Sequence, residues 1–234
     1  MRGKLIVIEG TDCSGKETQT KMLVDKLTST GKEVVRYSFP MYDTPTGKIV
    51  GGPYLGKSYI CDGWFNEGAT NVDYKVASLY YAADRLYNIE KINKDLEAGK
   101  DVILDRYVYS NMAHQGAKIS DLTDRMNMYN WLELLEFDLL ELPEPDIKIF
   151  LHMPTDYSVL LRKGREEAAD QHEADINHLR SAEAAYKEIA EFYSFESIEC
   201  ANTTDNPSIG DVRTIEDIND EIFEKISHSK KYLR

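Results

Sequence analysis

Several protein classes are excluded by what the sequence has little of. Its three cysteines, Cys13, Cys61 and Cys200, are scattered over 234 residues. Their spacing fits neither a zinc motif nor a disulfide framework, and reduced thiols are expected, as in a cytoplasmic protein. No apolar run is long enough to cross a bilayer, and nothing ahead of the first strand reads as a signal or transit peptide. Positive charge is in deficit. A formal net charge of -13 argues against nucleic acid or an anionic membrane as partner. An anionic small ligand would need a local cationic pocket inside that repelling field. No repeat, low-complexity tract or linker interrupts the chain, so residues 1–234 are expected to form a single domain.

What is present is a phosphate loop in its proper setting. Leu5-Ile-Val-Ile-Glu9 is a short apolar run of strand character, and Thr20 to Thr30 reads as a helix stopped by Gly31. Between them stands Gly10-Thr11-Asp12-Cys13-Ser14-Gly15-Lys16-Glu17-Thr18. In a strand–loop–helix unit the backbone N–H groups of such a loop surround a phosphate. The helix N-terminus adds partial positive charge, and the lysine neutralises more. One position departs from G-x-x-x-x-G-K-[ST]: Glu17 stands where Ser or Thr ordinarily ligates Mg²⁺.

Further strands are expected at Glu33 to Ser38, Asp101 to Asp105, Asp146 to His152 and Phe195 to Cys200. Helices are expected around Gly47 to Leu55, over Tyr74 to Glu97, from about Tyr107, from about Ile119 to Leu140, and over Thr155 to Arg162. One more is marked by Ile176, Leu179, Tyr186, Ile189 and Tyr193, and a last one runs from Ile215 to about Ser227. On the long helix Val76, Leu79, Tyr80, Ala83, Leu86, Tyr87 and Leu96 fit the 3.6-residue period. Met41 to Asn71 is turn-rich and long enough to be a functional surface segment. Alternating strands and helices imply a five-stranded parallel sheet covered on both faces, an α/β fold.

Asp105-Arg106-Tyr107 closes the third strand, at the edge where ligands bind in open parallel sheets. There an acid can hold Mg²⁺ or its water shell and an arginine can grip a phosphate, although the same pair also reads as a solvated strand end. Asn111 and His114 share a helical face, as do Tyr81 and Arg85. The latter two could stack on and hydrogen-bond a flat heterocycle, and equally read as core packing beside a surface charge. The charged segment at about 162–178 carries Arg162, Lys163 and Arg165. It is either a solvated helix end or a cationic lid that excludes water from a phosphoryl transfer.

Together these residues resemble the thymidylate kinases of the P-loop nucleoside-monophosphate kinases. The likeness runs from Gly10–Gln19 through Phe39-Pro-Met-Tyr42, Thr44–Gly47, Ala82-Ala-Asp-Arg85, Asp105–Asn111, His114-Gln-Gly116 and Pro145–Leu151 to Arg213–Ile218. The resemblance implies P-loop NTPase architecture and transfer of the γ-phosphoryl group of ATP to dTMP, with Mg²⁺. It implies that Gly10 to Thr18 bind ATP, with Lys16 on the donor phosphates, and that Asp12 contacts the sugar 3′-hydroxyl. Arg106 takes the acceptor phosphate, with Asp105 near the metal. The acceptor site comprises Asp12, Phe39, Tyr42, Tyr81, Arg85, Arg106, Ser110, Asn111 and His114. In it Tyr81 stacks on thymine, Arg85 and Asn111 read the base, and His114 crowds a ribose 2′-hydroxyl. A homodimer through long helices is implied, with Tyr74 to Glu97 as the candidate.

Cys13 stands where some members carry an arginine, so the lid residues Arg165 or Lys163 are expected to supply the catalytic cation. Glu17 is expected to bind Mg²⁺ directly. Two alternatives stay open. One is another nucleotide or nucleoside kinase on the same scaffold, with Glu9 as base. The other is a nucleotide-binding protein with weak or no catalysis because of Glu17.

Overall fold

The computed structural model describes residues 1–162, 175–230 and 232. Five strands form one sheet: β1 (Leu5–Gly10), β2 (Val34–Ser38), β3 (Asp101–Asp105), β4 (Ile147–His152) and β5 (Glu196–Glu199), in the order β2-β3-β1-β4-β5. Every pairing is parallel. In β1 every residue is buried, as a central strand covered on both sides requires. Leu5 and Val7 enter one core with Val102, Leu104 and Phe150, while Ile6 and Ile8 enter the other with Ile103, Ile149 and Leu151. This is the two-residue alternation of a strand, read on both faces at once.

The helices are α1 (Lys16–Ser29), α2 (Pro45–Ile49), α3 (Tyr74–Glu97), α4 (Val108–Gly116), α5 (Leu122–Glu133), α6 (Thr155–Arg162), α7 (Ile176–Phe192) and α8 (Ile215–Ser227). Wider π-type turns, Val50–Tyr54 and Leu134–Leu139, continue α2 and α5. The apolar residues of α1 and α8 cover the Ile6 face; those of α3, α4, α5 and α7 cover the Leu5 face.

Two sequence expectations need correction. The first helix begins at Lys16, four residues before Thr20, because Gly15 turns straight into it with φ 76°, a left-handed conformation that glycine takes without strain. Glu17 and Thr18 therefore lie in its first turn. On α3 most of the periodic apolar row, Leu96 and Tyr80 excepted, does not face the protein interior. Val76, Leu79, Leu86 and Tyr87 are 41%, 50%, 45% and 60% exposed. The buried face is the more polar one, with Ser78, Asp84, Arg85 and Asn88 among Ala77, Ile89, Ile92 and Leu96. Periodicity marked two faces; it did not say which one the sheet takes.

A third cluster lies away from the sheet. Val50, Tyr54, Leu55, Ala69, Val72 and Ala77 pack with Phe65, Tyr80 and Tyr81. It gives the 58–71 segment a place, since Ala69 and Phe65 belong to it. Lys118 Nζ fastens the assembly, donating to the carbonyls of Ala69 and Val72 at 2.8 Å each and to the Tyr54 hydroxyl at 3.3 Å.

Candidate active site

Strand register brings the two sequence motifs together. Ile8 pairs with Asp105, and the Arg106 N–H continues the ladder to the Ile8 carbonyl at 3.1 Å. The loop after β1 and the Asp105–Arg106 turn after β3 therefore leave the sheet side by side at its carboxyl edge. A Cβ on Gly10 would come within 2.6 Å of both the Leu151 carbonyl and Ser14 Oγ, so only glycine allows the loop to depart here. Thr11 ties the loop to β4: its hydroxyl donates to the Met153 carbonyl at 2.7 Å and accepts from the Met153 N–H at 2.8 Å. Cys13 and Arg106 have φ of 59° and 67°, left-handed values uncommon for residues with a Cβ. Strain of this kind concentrates at functional turns.

Lys16 is buried, and its ammonium donates to the carbonyls of Gly10 and Thr11 at 2.9 and 2.8 Å and to Ser14 Oγ at 3.3 Å. Burial, reinforced by the nearby Arg106 charge, lowers its pKa to about 8 against the pull of Asp12, Asp105 and Glu9. Arg106 reaches Asp12 Oδ1 at 3.3 Å, the Tyr186 hydroxyl at 3.3 Å and Ser110 Oγ at 3.4 Å. Burial opposes its charge, but Tyr186 and the carboxylates of Asp12, Asp105 and Glu9 outweigh that and raise its pKa. Asp12 shows the converse. Burial would raise it, but Arg106, His114, Lys16 and Arg162 hold its carboxyl well below the usual range.

Two clefts meet at this pair. One is lined by all nine residues expected at the acceptor site: Asp12, Phe39, Tyr42, Tyr81, Arg85, Arg106, Ser110, Asn111 and His114. The other is lined by Asp12, Cys13, Gly15, Lys16, Glu17, Thr18 and Asp105, and shares Asp12, Phe39, Tyr42 and Arg106 with the first. Gly10, Thr11 and Ser14, within the same loop, are buried and do not line this cleft.

The structure gives several of these residues partners that local sequence did not. Arg85 is not a surface charge: at 2% exposure it forms a fork with Glu136, which is itself fully buried. Asp105 accepts from Arg36 at 2.6 Å, and Arg36 also reaches Thr20. Glu17 is exposed and bonded to Lys21 at 2.6 Å. Glu9, a conceivable base, has its carboxylate filled: it accepts from the N–H groups of Tyr107 and Ser110 and from Ser110 Oγ, capping the start of α4. Burial outweighs these bonds and raises its pKa. Arg162 ends α6, whereas Lys163, Arg165 and most of the expected lid lie outside the described residues.

Other residues at the site carried no functional signal. Tyr186 of α7 was visible only as one position of an apolar stripe, yet its hydroxyl lies 2.8 Å from Ser110 Oγ. His178 stacks on His114, with ring centres 5.7 Å apart. Asp84 accepts from the Met41 N–H at 2.9 Å, Thr46 Oγ1 at 2.9 Å and Asn88 Nδ2 at 3.0 Å, and so holds the chain after β2 against the cleft.

Two of the carboxylates expected near a metal, Asp105 and Glu17, lie beside the loop cleft. Mg²⁺ in phosphoryl transfer is usually held by one or two carboxylates plus substrate phosphates and water. Among the described residues no group of three or more His, Cys, Asp or Glu could hold a metal alone. Asp105 and Glu17 border the loop cleft, where Asp105 is bonded to Arg36 and Glu17 to Lys21.

Comparison with known proteins points the same way. The thymidylate kinase family model matches residues 8–208. The Thermococcus kodakarensis protein named "Probable thymidylate kinase" is 34% identical over 90% of this chain and 97% of its own. The thymidylate kinase of Schizosaccharomyces pombe is 30% identical over 91% of this chain and 89% of its own. In fold, the structure of a thymidylate kinase from Candida albicans matches with a TM-score of 0.73, over 99% of this chain and 94% of that one, at 24% identity.

Proposed function

The chain belongs to the thymidylate kinase family, and from that premise we propose how its own residues carry the reaction. It is an ATP-dependent kinase that transfers the γ-phosphoryl group of ATP to dTMP, giving dTDP and ADP. The observation that carries the residue assignment is the Arg106–Asp12 pair at the junction of the two clefts. A phosphate in either cleft then meets the same guanidinium, so donor and acceptor approach head to head.

In the ATP-binding loop from Gly10 to Thr18, the phosphates are held by N–H groups of the residues that line the cleft, Cys13, Gly15, Lys16, Glu17 and Thr18, and by the Lys16 ammonium. The dTMP phosphate is held by Arg106, its sugar 3′-hydroxyl by Asp12, and its base by Tyr81, Arg85 and Asn111, with His114 against the 2′ position. Transfer is direct and in line. The acceptor phosphate is already an anion, so the task is to bring two anions together. Arg106 does this with a charge its surroundings make permanent, and Ser110 and Tyr186 fix its direction. When bound, Mg²⁺ supplies charge neutralisation between the donor phosphates, with Asp105 and Glu17 as its protein ligands. Lys163 and Arg165 are the proposed lid cations of the domain. The exposed apolar face of α3 is the proposed homodimer surface. No described helix is long and apolar enough to cross a membrane; a cytoplasmic location is part of the proposal.

A nucleoside kinase would need a general base, and the Glu9 carboxylate is occupied in capping α4. A coupled ADP-release assay across dTMP, dUMP, the remaining monophosphates and thymidine tests the assignment. Turnover is expected with dTMP and absent with thymidine; turnover with thymidine alone would overturn it.

A further inference from the structure

Glu136 lies in the wide turn Leu134–Leu139 that continues α5, with no exposed surface. Its two oxygens serve two neighbours. Arg85 donates through Nε to Oε2 and through Nη2 to Oε1, the second at 2.6 Å. Asn111 Nδ2 donates to the same Oε1 at 3.2 Å and to the Ser78 carbonyl at 3.2 Å. A carboxylate and a carbonyl can only accept, so the Asn111 amide has one orientation here, with its NH₂ toward Glu136 and Ser78. Its Oδ1 is buried and has no hydrogen-bond partner. Arg85 is fixed in the same way. With Nε and Nη2 committed to Glu136, Nη1 reaches only the Tyr107 carbonyl at 3.4 Å and keeps a second N–H. Both residues line the acceptor cleft.

We infer that Glu136 sets the hydrogen-bond code by which the cleft selects its base. Holding Asn111 as an acceptor and Arg85 as a donor, it favours a ring that offers an N–H beside a carbonyl, as thymine and uracil do. It rejects cytosine, which offers a bare ring nitrogen beside an amino group. The inference rests on the reading that Arg85 and Asn111 face the base. Glu136 touches no substrate in this scheme; it is a positioning residue acting through two others.

The test is Glu136→Gln, with kcat/KM measured for dTMP and dCMP. A glutamine amide can offer N–H to Asn111, so the single orientation is no longer enforced. The preference for dTMP over dCMP is expected to shrink by about tenfold or more, chiefly through KM, since sites built on hydrogen bonds owe their large rejection ratios to unpaired buried groups. A variant in which both substrates lose activity in parallel, or neither does, overturns the inference. Should the variant not fold, the wild-type protein still decides. The Asn111 side-chain amide protons, followed by ¹⁵N NMR, are expected to exchange far more slowly than those of exposed asparagines, and fast exchange overturns the lock. Asn111→Ala separates the two levels. If it leaves the preference intact, the base-reading assignment falls and this inference with it. If it abolishes the preference while Glu136→Gln does not, only the role of Glu136 falls.

Discussion

The loop cleft and the acceptor cleft hold their cations in opposite ways. Lys16 is held by backbone carbonyls five and six residues away, from its own loop. Arg106 and Arg85 are held by carboxylates and hydroxyls from distant elements, Asp12, Tyr186 and Glu136. A carbonyl dipole satisfies an ammonium's hydrogens without cancelling its charge, so burial prevails and the pKa of Lys16 falls to about 8. A carboxylate cancels the charge, and both arginines end with raised pKa values although burial opposes them. The donor side thus carries a conditional charge that an incoming phosphate completes. The acceptor side carries a fixed one.

That contrast can be broken at several points. Arg106→Ala removes the fixed charge shared by both clefts, and turnover of dTMP is expected to fall by about 10³-fold, on the scale of losing a preorganised charge at a transferring group; near-wild-type dTMP kinetics would refute the assignment. Asp84→Ala frees the chain after β2 and strands the buried Met41 N–H. It is expected to lower stability by about 2 kcal/mol and to raise KM for dTMP, read by thermal melting and steady-state kinetics.

The conditional charge of Lys16 has its own signature in pH. Below about pH 8 the ammonium is already charged when ATP arrives. Above it, binding must take up a proton, so ATP affinity is expected to weaken as pH rises, toward a limit of about tenfold per pH unit. Lys16→Arg should flatten that slope in calorimetric titrations. The smallest effect is expected at Glu17, whose exposed i,i+4 pair with Lys21 is worth only about 0.3–0.5 kcal/mol. Glu17→Thr should leave the melting temperature unchanged while shifting the Mg²⁺ dependence of turnover. An unmoved Mg²⁺ curve would remove Glu17 from the metal site.

The same contrast explains what the sequence disclosed. The phosphate loop that lines one side of the loop cleft is one contiguous stretch, so it and its setting could be read directly, as could the strands that frame it. The rest of the site is held by pairs that are far apart in sequence: Arg85 with Glu136, 51 residues on, and Ser110 with Tyr186, 76 on, at the acceptor cleft; Arg36 with Asp105, 69 on, at the loop cleft. Each partner looks ordinary where it stands. Glu136 reads as one more acid on a charged helix, and Tyr186 as one more ring in an apolar stripe. The α3 faces were legible as faces, but the buried one is chosen by what Arg85 and Asp84 bond to, and those partners come from the loop after β2, from α2, from the turn before α4 and from the wide turn that continues α5.

Helix α3 carries Asp84 and Arg85 on one flank and an uncovered oily row on the other. The two flanks are separated by the thickness of a single helix, about 10 Å. Whatever leans on Leu79 or Leu86 therefore leans on Asp84 and Arg85 as well. With the proposed dimer surface and the proposed base-reading residues on one helix, a substitution on its outer side, such as at Leu79 or Leu86, is expected to alter the preference among nucleotides.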